Sequence, residues 1–158
     1  MTSARALLET VTDPEIPVLT LADLGVLRDV SEDNGRVVVT ITPTYSGCPA
    51  MHVMEGDIRR VLAEHGYLDV EVRTQLSPAW TTDWISEAGR RKLREYGIAP
   101  PAPHAGAPAR AREVVFRVQC PRCGALETEK VSEYGSTACK ALYRCRTCLE
   151  PFDYFKPI

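Results

Sequence analysis

Two Cys-x-x-Cys pairs near the C-terminus constrain this chain more than any other feature. They are Cys120-Pro121-Arg122-Cys123 and Cys145-Arg146-Thr147-Cys148, with 21 residues between them. The 46 residues from 113 to 158 hold few large aliphatic side chains, and a module that small rarely stays folded without a staple. Two residues between cysteines let both sulfurs reach one ion from a single tight turn, and two such turns complete a tetrahedron. The spacing therefore predicts a structural tetrathiolate site for zinc, while spacing alone leaves rubredoxin-like iron, an iron–sulfur cluster or disulfides open. Gly124 follows the first pair, where the turn after a ligand often needs positive φ. Leu149 stands in the equivalent place after the second. Cys139 reads either as a spare buried thiol or as an extra ligand.

The composition, 44% hydrophobic and 25% charged, is that of a globular chain able to bury a core. Residues 1–99 carry 10 Lys/Arg against 15 Asp/Glu, and residues 113–158 carry 7 against 6. Neither balance suits strong phosphate binding, so no nucleic-acid partner is expected. Met1–Thr12 lacks a basic start followed by an unbroken apolar run, and no stretch reaches the ~18 apolar residues of a membrane span. A cytoplasmic protein without a membrane partner is expected, in a reducing setting where such cysteine pairs more often hold metal than form disulfides.

Four of the twelve prolines fall within Pro100–Pro108, which predicts an extended, semi-rigid linker over 99–112. It separates an N-terminal domain, 1–98, from a C-terminal zinc ribbon, 113–158. In the first domain Ala4–Val11 reads as a short helix. Val26–Val30 and Arg36–Thr42 read as a hairpin turned by Asp33-Asn34-Gly35, with Val37, Val39 and Ile41 setting a period of two. Ala50, Val53, Met54, Ile58, Val61 and Leu62 mark one face of a helix ending near Gly66. Leu68–Leu76 reads as a third strand and Thr82–Tyr96 as another helix. The order predicts an α+β domain whose small mixed sheet is covered by helices on one face. The ribbon's strands are expected at Glu113–Gln119, Thr128–Tyr134, Ala141–Arg144 and Phe152–Phe155.

Cys48 stands apart, where the strand Arg36–Thr42 gives way to the helix opening at Pro49. Proline favours the first helical position, which puts Cys48 at or beside the N-cap. A thiolate there faces free backbone N–H groups and the positive end of the helix, the setting of reactive cysteines. The plainer reading is a small buried cysteine plugging a strand-to-helix corner. His52 lies four residues on, on the same side of the helix. Asp13 and Glu15, in Asp13-Pro14-Glu15-Ile16-Pro17, are either solvated acids at a helix stop or groups that approach Cys48. Trp80 and Trp84 read as packing residues, one of them alternatively a partner contact. His65 and His104 have no companions at ligand spacing.

Taken together, Asp13–Pro17, Asp23-Leu24-Gly25-Val26, Thr40–Pro43 leading into Gly47-Cys48-Pro49, and Pro78-Ala79-Trp80-Thr81 resemble the metal–sulfur cluster assembly domain of the SufT-like family. With Cys120–Gly124, Gly135–Lys140 and Pro151–Lys156, the chain outside the linker is similar to the PaaD (PaaJ) family of phenylacetate degradation. The resemblance implies an accessory protein, not itself catalytic, that helps mature the metal centres of the phenylacetyl-CoA epoxidase. The partners implied are the di-iron oxygenase and the reductase, which carries flavin and an iron–sulfur cluster. Cys48 matches the thiol that would handle a transient iron or iron–sulfur cargo, with Asp13 and Glu15 matching the acidic motif; His52 is a supporting residue by its position on the helix alone. The resemblance also gives Cys139 a place in the recurring pattern and leaves a homodimer open. The alternative is an integral, non-catalytic or electron-transfer subunit of the same monooxygenase.

Overall fold

The computed structural model describes residues 2–102 and 117–158. Residues 1–89 and 90–158 form two compact units.

In the first unit, Ala4–Leu8 (α1) is capped by Ser3, whose hydroxyl accepts the Ala6 N–H (3.3 Å), and buries Ala4, Leu7 and Leu8. Leu21–Leu24 (α2), a turn absent from the sequence expectation, is held by a capping box. The Asp23 N–H donates to Thr20 Oγ1 (3.0 Å) and the Thr20 N–H to Asp23 Oδ2 (3.1 Å), so two helix-end donors are satisfied together. Gly25 ends it at φ 73, and a β-carbon there would sit 2.7 Å from the Trp84 backbone oxygen. Both the backbone conformation and the close approach require glycine.

Leu27–Asp33 (β1) and Arg36–Ile41 (β2) form the expected antiparallel hairpin, closed at the pair Asp33↔Arg36. Asn34 (φ 48) and Gly35 (φ 83) both take positive φ, as a two-residue turn matched to strand twist demands. Val37, Val39 and Ile41 are fully buried along one face of β2. Ala50–Glu64 (α3) buries Ala50, Met54, Ile58 and Leu62. Val53, expected on that face, is 51% exposed, because the four-residue spacing of the other four leaves it on the flank. After α3 the chain returns as Asp69–Thr74 (β3), parallel to β2, giving the sheet order β1-β2-β3. The fold is the expected α+β mixture with a small mixed sheet.

The stretch Thr82–Tyr96 is not one helix. A 3-10 turn, Thr82–Trp84, is followed by extended backbone at Ile85 (ψ 126), and Glu87–Tyr96 (α4) starts afresh. Ser86 is the reason. Its hydroxyl accepts the Gly89 N–H (2.9 Å) in N-cap fashion, and its N–H donates to the Asp23 carbonyl (2.8 Å). Trp80 is buried, its indole N–H donating to the Leu24 carbonyl (2.9 Å). The half-buried Trp84 ring lies 3.7 Å under the Arg28 guanidinium. Both tryptophans thus take packing roles.

The second unit contains Ile98–Ala99 (β4), Thr128–Ser132 (β5), Lys140–Cys145 (β6) and Pro151–Phe155 (β7), in the order β4-β7-β6-β5. β5, β6 and β7 are antiparallel neighbours, and β4 adds parallel to the outer edge of β7. Ala99, expected to open the linker, is therefore a strand residue, because the bare edge of β7 offers backbone partners to the apolar Ile98-Ala99 pair. The linker expectation over 103–112, and residues 113–116 of the expected strand Glu113–Gln119, lie outside the described residues. Residues 117–119 belong to no strand. One face of the sheet packs Ala99, Val118, Cys120, Cys145, Phe152 and Tyr154 together. Tyr143 stacks on Phe152 (6.0 Å) and meets Tyr154 edge-on (5.4 Å).

Candidate metal and thiol sites

None of the six cysteines is joined in a disulfide. The first Cys-x-x-Cys turn is closed by the Gly124 N–H on the Cys120 carbonyl (2.9 Å), and the Cys120 N–H returns to the Ala125 carbonyl (2.9 Å). The second is closed by the Cys145 N–H on the Glu150 carbonyl (3.0 Å). Gly124 and Leu149 both sit at positive φ, 79 and 66, so the second turn demands of leucine what the first obtains from glycine.

These turns bring the Sγ atoms of Cys120, Cys123, Cys145 and Cys148 within 4.8 Å of one another. Cys120 lies 3.8 Å from Cys148, and Cys123 lies 3.6 Å from Cys145. A regular tetrahedron around an ion with ~2.3 Å metal–sulfur bonds has edges of about 3.8 Å, so the donor set fits a tetrathiolate metal centre.

The electrostatics agree. The Cys148 N–H, then the Thr147 N–H, hold the Cys145 thiol down at about 6 against burial. Cys148 has the Glu150 backbone in its favour, yet burial and the neighbouring sulfurs push it up to about 12. Four thiolates this close cannot coexist without a cation, and a bound metal is what allows all four to ionise. Cys120 and Cys145 are buried at the floor, whereas Cys123 is exposed.

Cys139 does not join this group. It is buried just before β6, its Sγ 3.0 Å from Thr137 Oγ1. Cys145 closes the other end of that strand, six residues on, which at ~3.3 Å per residue is about 20 Å away. The extra-ligand reading is thereby overturned.

Cys48 is 6% exposed. Its N–H donates to the Tyr45 carbonyl (3.4 Å) and its carbonyl accepts the Met51 N–H (3.3 Å). Pro49 is itself the cap residue (φ −68), so Cys48 sits one position before the cap. No side chain caps α3, so its first N–H groups, next to Cys48, are not satisfied in that way. Among the described residues Cys48 belongs to no group of three or more metal-binding side chains.

Asp13 is buried, and its Oδ1 accepts the N–H groups of Glu15 (2.8 Å) and Ile16 (2.7 Å), so it is not a solvated acid. Glu15 is half-buried and His52 is exposed on α3. Sequence reasoning missed Thr42, the residue after β2, which is 1% exposed. Its hydroxyl is buried with no hydrogen-bond partner among the described residues. The alternation along β2 gives no hint of this, since burial of that face depends on residues distant in sequence.

Comparison with known proteins gives these sites a family setting. Residues 2–73 match the family described as iron–sulfur cluster assembly protein, and residues 105–156 match the PaaD zinc beta ribbon domain. A crystal structure of a domain of unknown function from Bacillus anthracis superposes with a TM-score of 0.53 at 31% identity, over 57% of this chain and 87% of that one. The Fe-S protein maturation auxiliary factor YitW of Bacillus subtilis is 36% identical over 54% of this chain and 85% of its own length. The class is thus an iron–sulfur assembly-type α+β domain carrying a four-cysteine ribbon. A putative subunit of the 1,2-phenylacetyl-CoA epoxidase of Escherichia coli K12 is 53% identical over 97% of this chain and 90% of its own. The chain belongs to the PaaD family.

Proposed function

We propose that the protein is an accessory factor for assembling the iron or iron–sulfur centres of a phenylacetyl-CoA epoxidase, acting in the cytoplasm. The observation that carries this reading is the combination of an assembly-type domain holding Cys48 with an almost full-length likeness to a protein named as an epoxidase subunit. In this reading Cys48 is the thiol that takes the cargo, beside the uncapped start of α3. The buried Asp13 holds the acidic turn by accepting the Glu15 and Ile16 N–H groups, and Glu15 and His52 are given supporting roles in this reading. Because Cys48 joins no group of three or more such ligands among the described residues, the cargo's remaining valences would be met by the client or a second copy of this chain. The four ribbon cysteines hold zinc, which supplies a structural cross-link, and the ribbon docks on the oxygenase or the reductase. No helix among the described residues is long and apolar enough to cross a membrane, which is compatible with such a role.

The test is to express the epoxidase with wild-type protein or with Cys48→Ser and to measure iron content and the reductase cluster's spectrum. Folded variant protein alongside metal-poor epoxidase is expected. Fully loaded, active enzyme made with the variant alone would refute the role given to Cys48.

A second reading, as a working component of the epoxidase, is favoured by the name of the Escherichia coli relative. Adding the protein to purified, already assembled epoxidase separates the two. Dependence during assay means a working component, and dependence only during expression means maturation.

A further inference from the structure

Leu149 combines two conditions that a leucine does not meet without cause. Its backbone is in the left-handed region (φ 66) and the residue is 60% exposed. The first crowds its β-carbon against the following carbonyl, and a bulky residue there is a rare outlier. The second leaves a large apolar group in water. The molecule contains its own control, since Gly124 fills the same place in the first cysteine turn. The turn therefore asks only for glycine, and the leucine answers to something else.

Its surroundings suit a protein contact. Leu126, 46% exposed, lies at the same metal-binding end of the ribbon. That segment is tied to the second turn, because the Arg146 N–H donates to the Glu127 carbonyl (2.7 Å). Arg122 and Arg144 are exposed there and form no ion pair among the described residues, whereas Arg146 is held by Glu129 (3.0 Å).

We infer that Leu149, flanked by Leu126, is the anchor by which the ribbon docks on a protein partner. The pocket receiving it is apolar with an acidic rim that meets Arg122 and Arg144. One apolar anchor entering a desolvated pocket, inside a ring of weaker contacts, is how binding energy concentrates in such interfaces. This rests on the reading of the ribbon as a docking module and narrows it to one end and one residue.

The experiment uses the full-length, metal-loaded protein and its Leu149→Gly and Leu149→Asn variants, both residues that accept left-handed backbone. Each is tested for metal content, Tm and affinity for purified epoxidase oxygenase and reductase components. Metal content is expected to hold, Tm to stay level or rise, and Kd to increase about tenfold or more. Arg144→Glu is expected to slow association and flatten its salt dependence. An unchanged Kd in both Leu149 variants overturns the anchor while leaving the maturation role standing. Lost metal or a lowered Tm also overturns it, by making the leucine structural. Wild-type protein that binds neither component overturns the docking reading and the anchor together, and the Cys48→Ser test remains separate.

Discussion

At the scale of single residues, Thr42 and Leu149 are two positions where the chain departs from what its own fold asks. A buried hydroxyl without a partner costs roughly 1–3 kcal/mol in lost hydration, whereas an apolar group of similar shape does not. Thr42→Val is therefore expected to leave stability unchanged or raise it by up to about that amount in chemical denaturation. A marked loss would mean that the hydroxyl is satisfied in solution. For Leu149 the left-handed backbone costs about 1–2 kcal/mol relative to glycine. The four clustered cysteines were legible in the sequence because their geometry is local, two residues apart within each turn. Thr42 was not, since its burial is a property of neighbours far along the chain. The exclusion of Cys139 needed only the observation that β6 runs straight between it and Cys145.

At the scale of elements, β2 and β3 are joined on their surface by Glu71. Its carboxylate accepts from Arg73 Nε (2.6 Å) and from the Arg36 guanidinium across the strand pair. Arg73 first, then Arg36, draw its pKa from an ordinary 4.5 to about 2. A depressed carboxylate stabilises the fold above its unfolded pKa, and that contribution is lost as pH falls through the folded value. Glu71→Gln is thus expected to be less stable than wild type at neutral pH, by a small, salt-sensitive margin given the exposure of the pair. Thermal melts should show the gap closing between pH 4.5 and about 2. The hairpin β1–β2 was legible because Asn34-Gly35 specifies its own turn. The break before α4 was not, because Ser86 is fixed by Asp23, 63 residues upstream. The helical pattern continues through Ile85, so periodicity alone joins two elements that a distant backbone contact separates.

At the scale of the whole molecule, the compact units divide between Gly89 and Arg90, inside α4, while the matched families cover 2–73 and 105–156. The residues between those matches carry Trp80, Trp84, α4 and β4. A fragment of residues 90–158 keeps β4 on the edge of β7, and a fragment of residues 105–158 bares that edge. Unpaired strand edges recruit further strands, so light scattering on the metal-loaded fragments is expected to show a monomer for the longer and self-association for the shorter. A monodisperse short fragment would show that β4 protects nothing. The position of β4 also bears on how such proteins can be recombined. The ribbon takes its edge strand from the stretch before the prolines. It is therefore not a cassette that a gene fusion could exchange at the proline-rich stretch, and its inheritance is bound to the sequence that closes the domain before it.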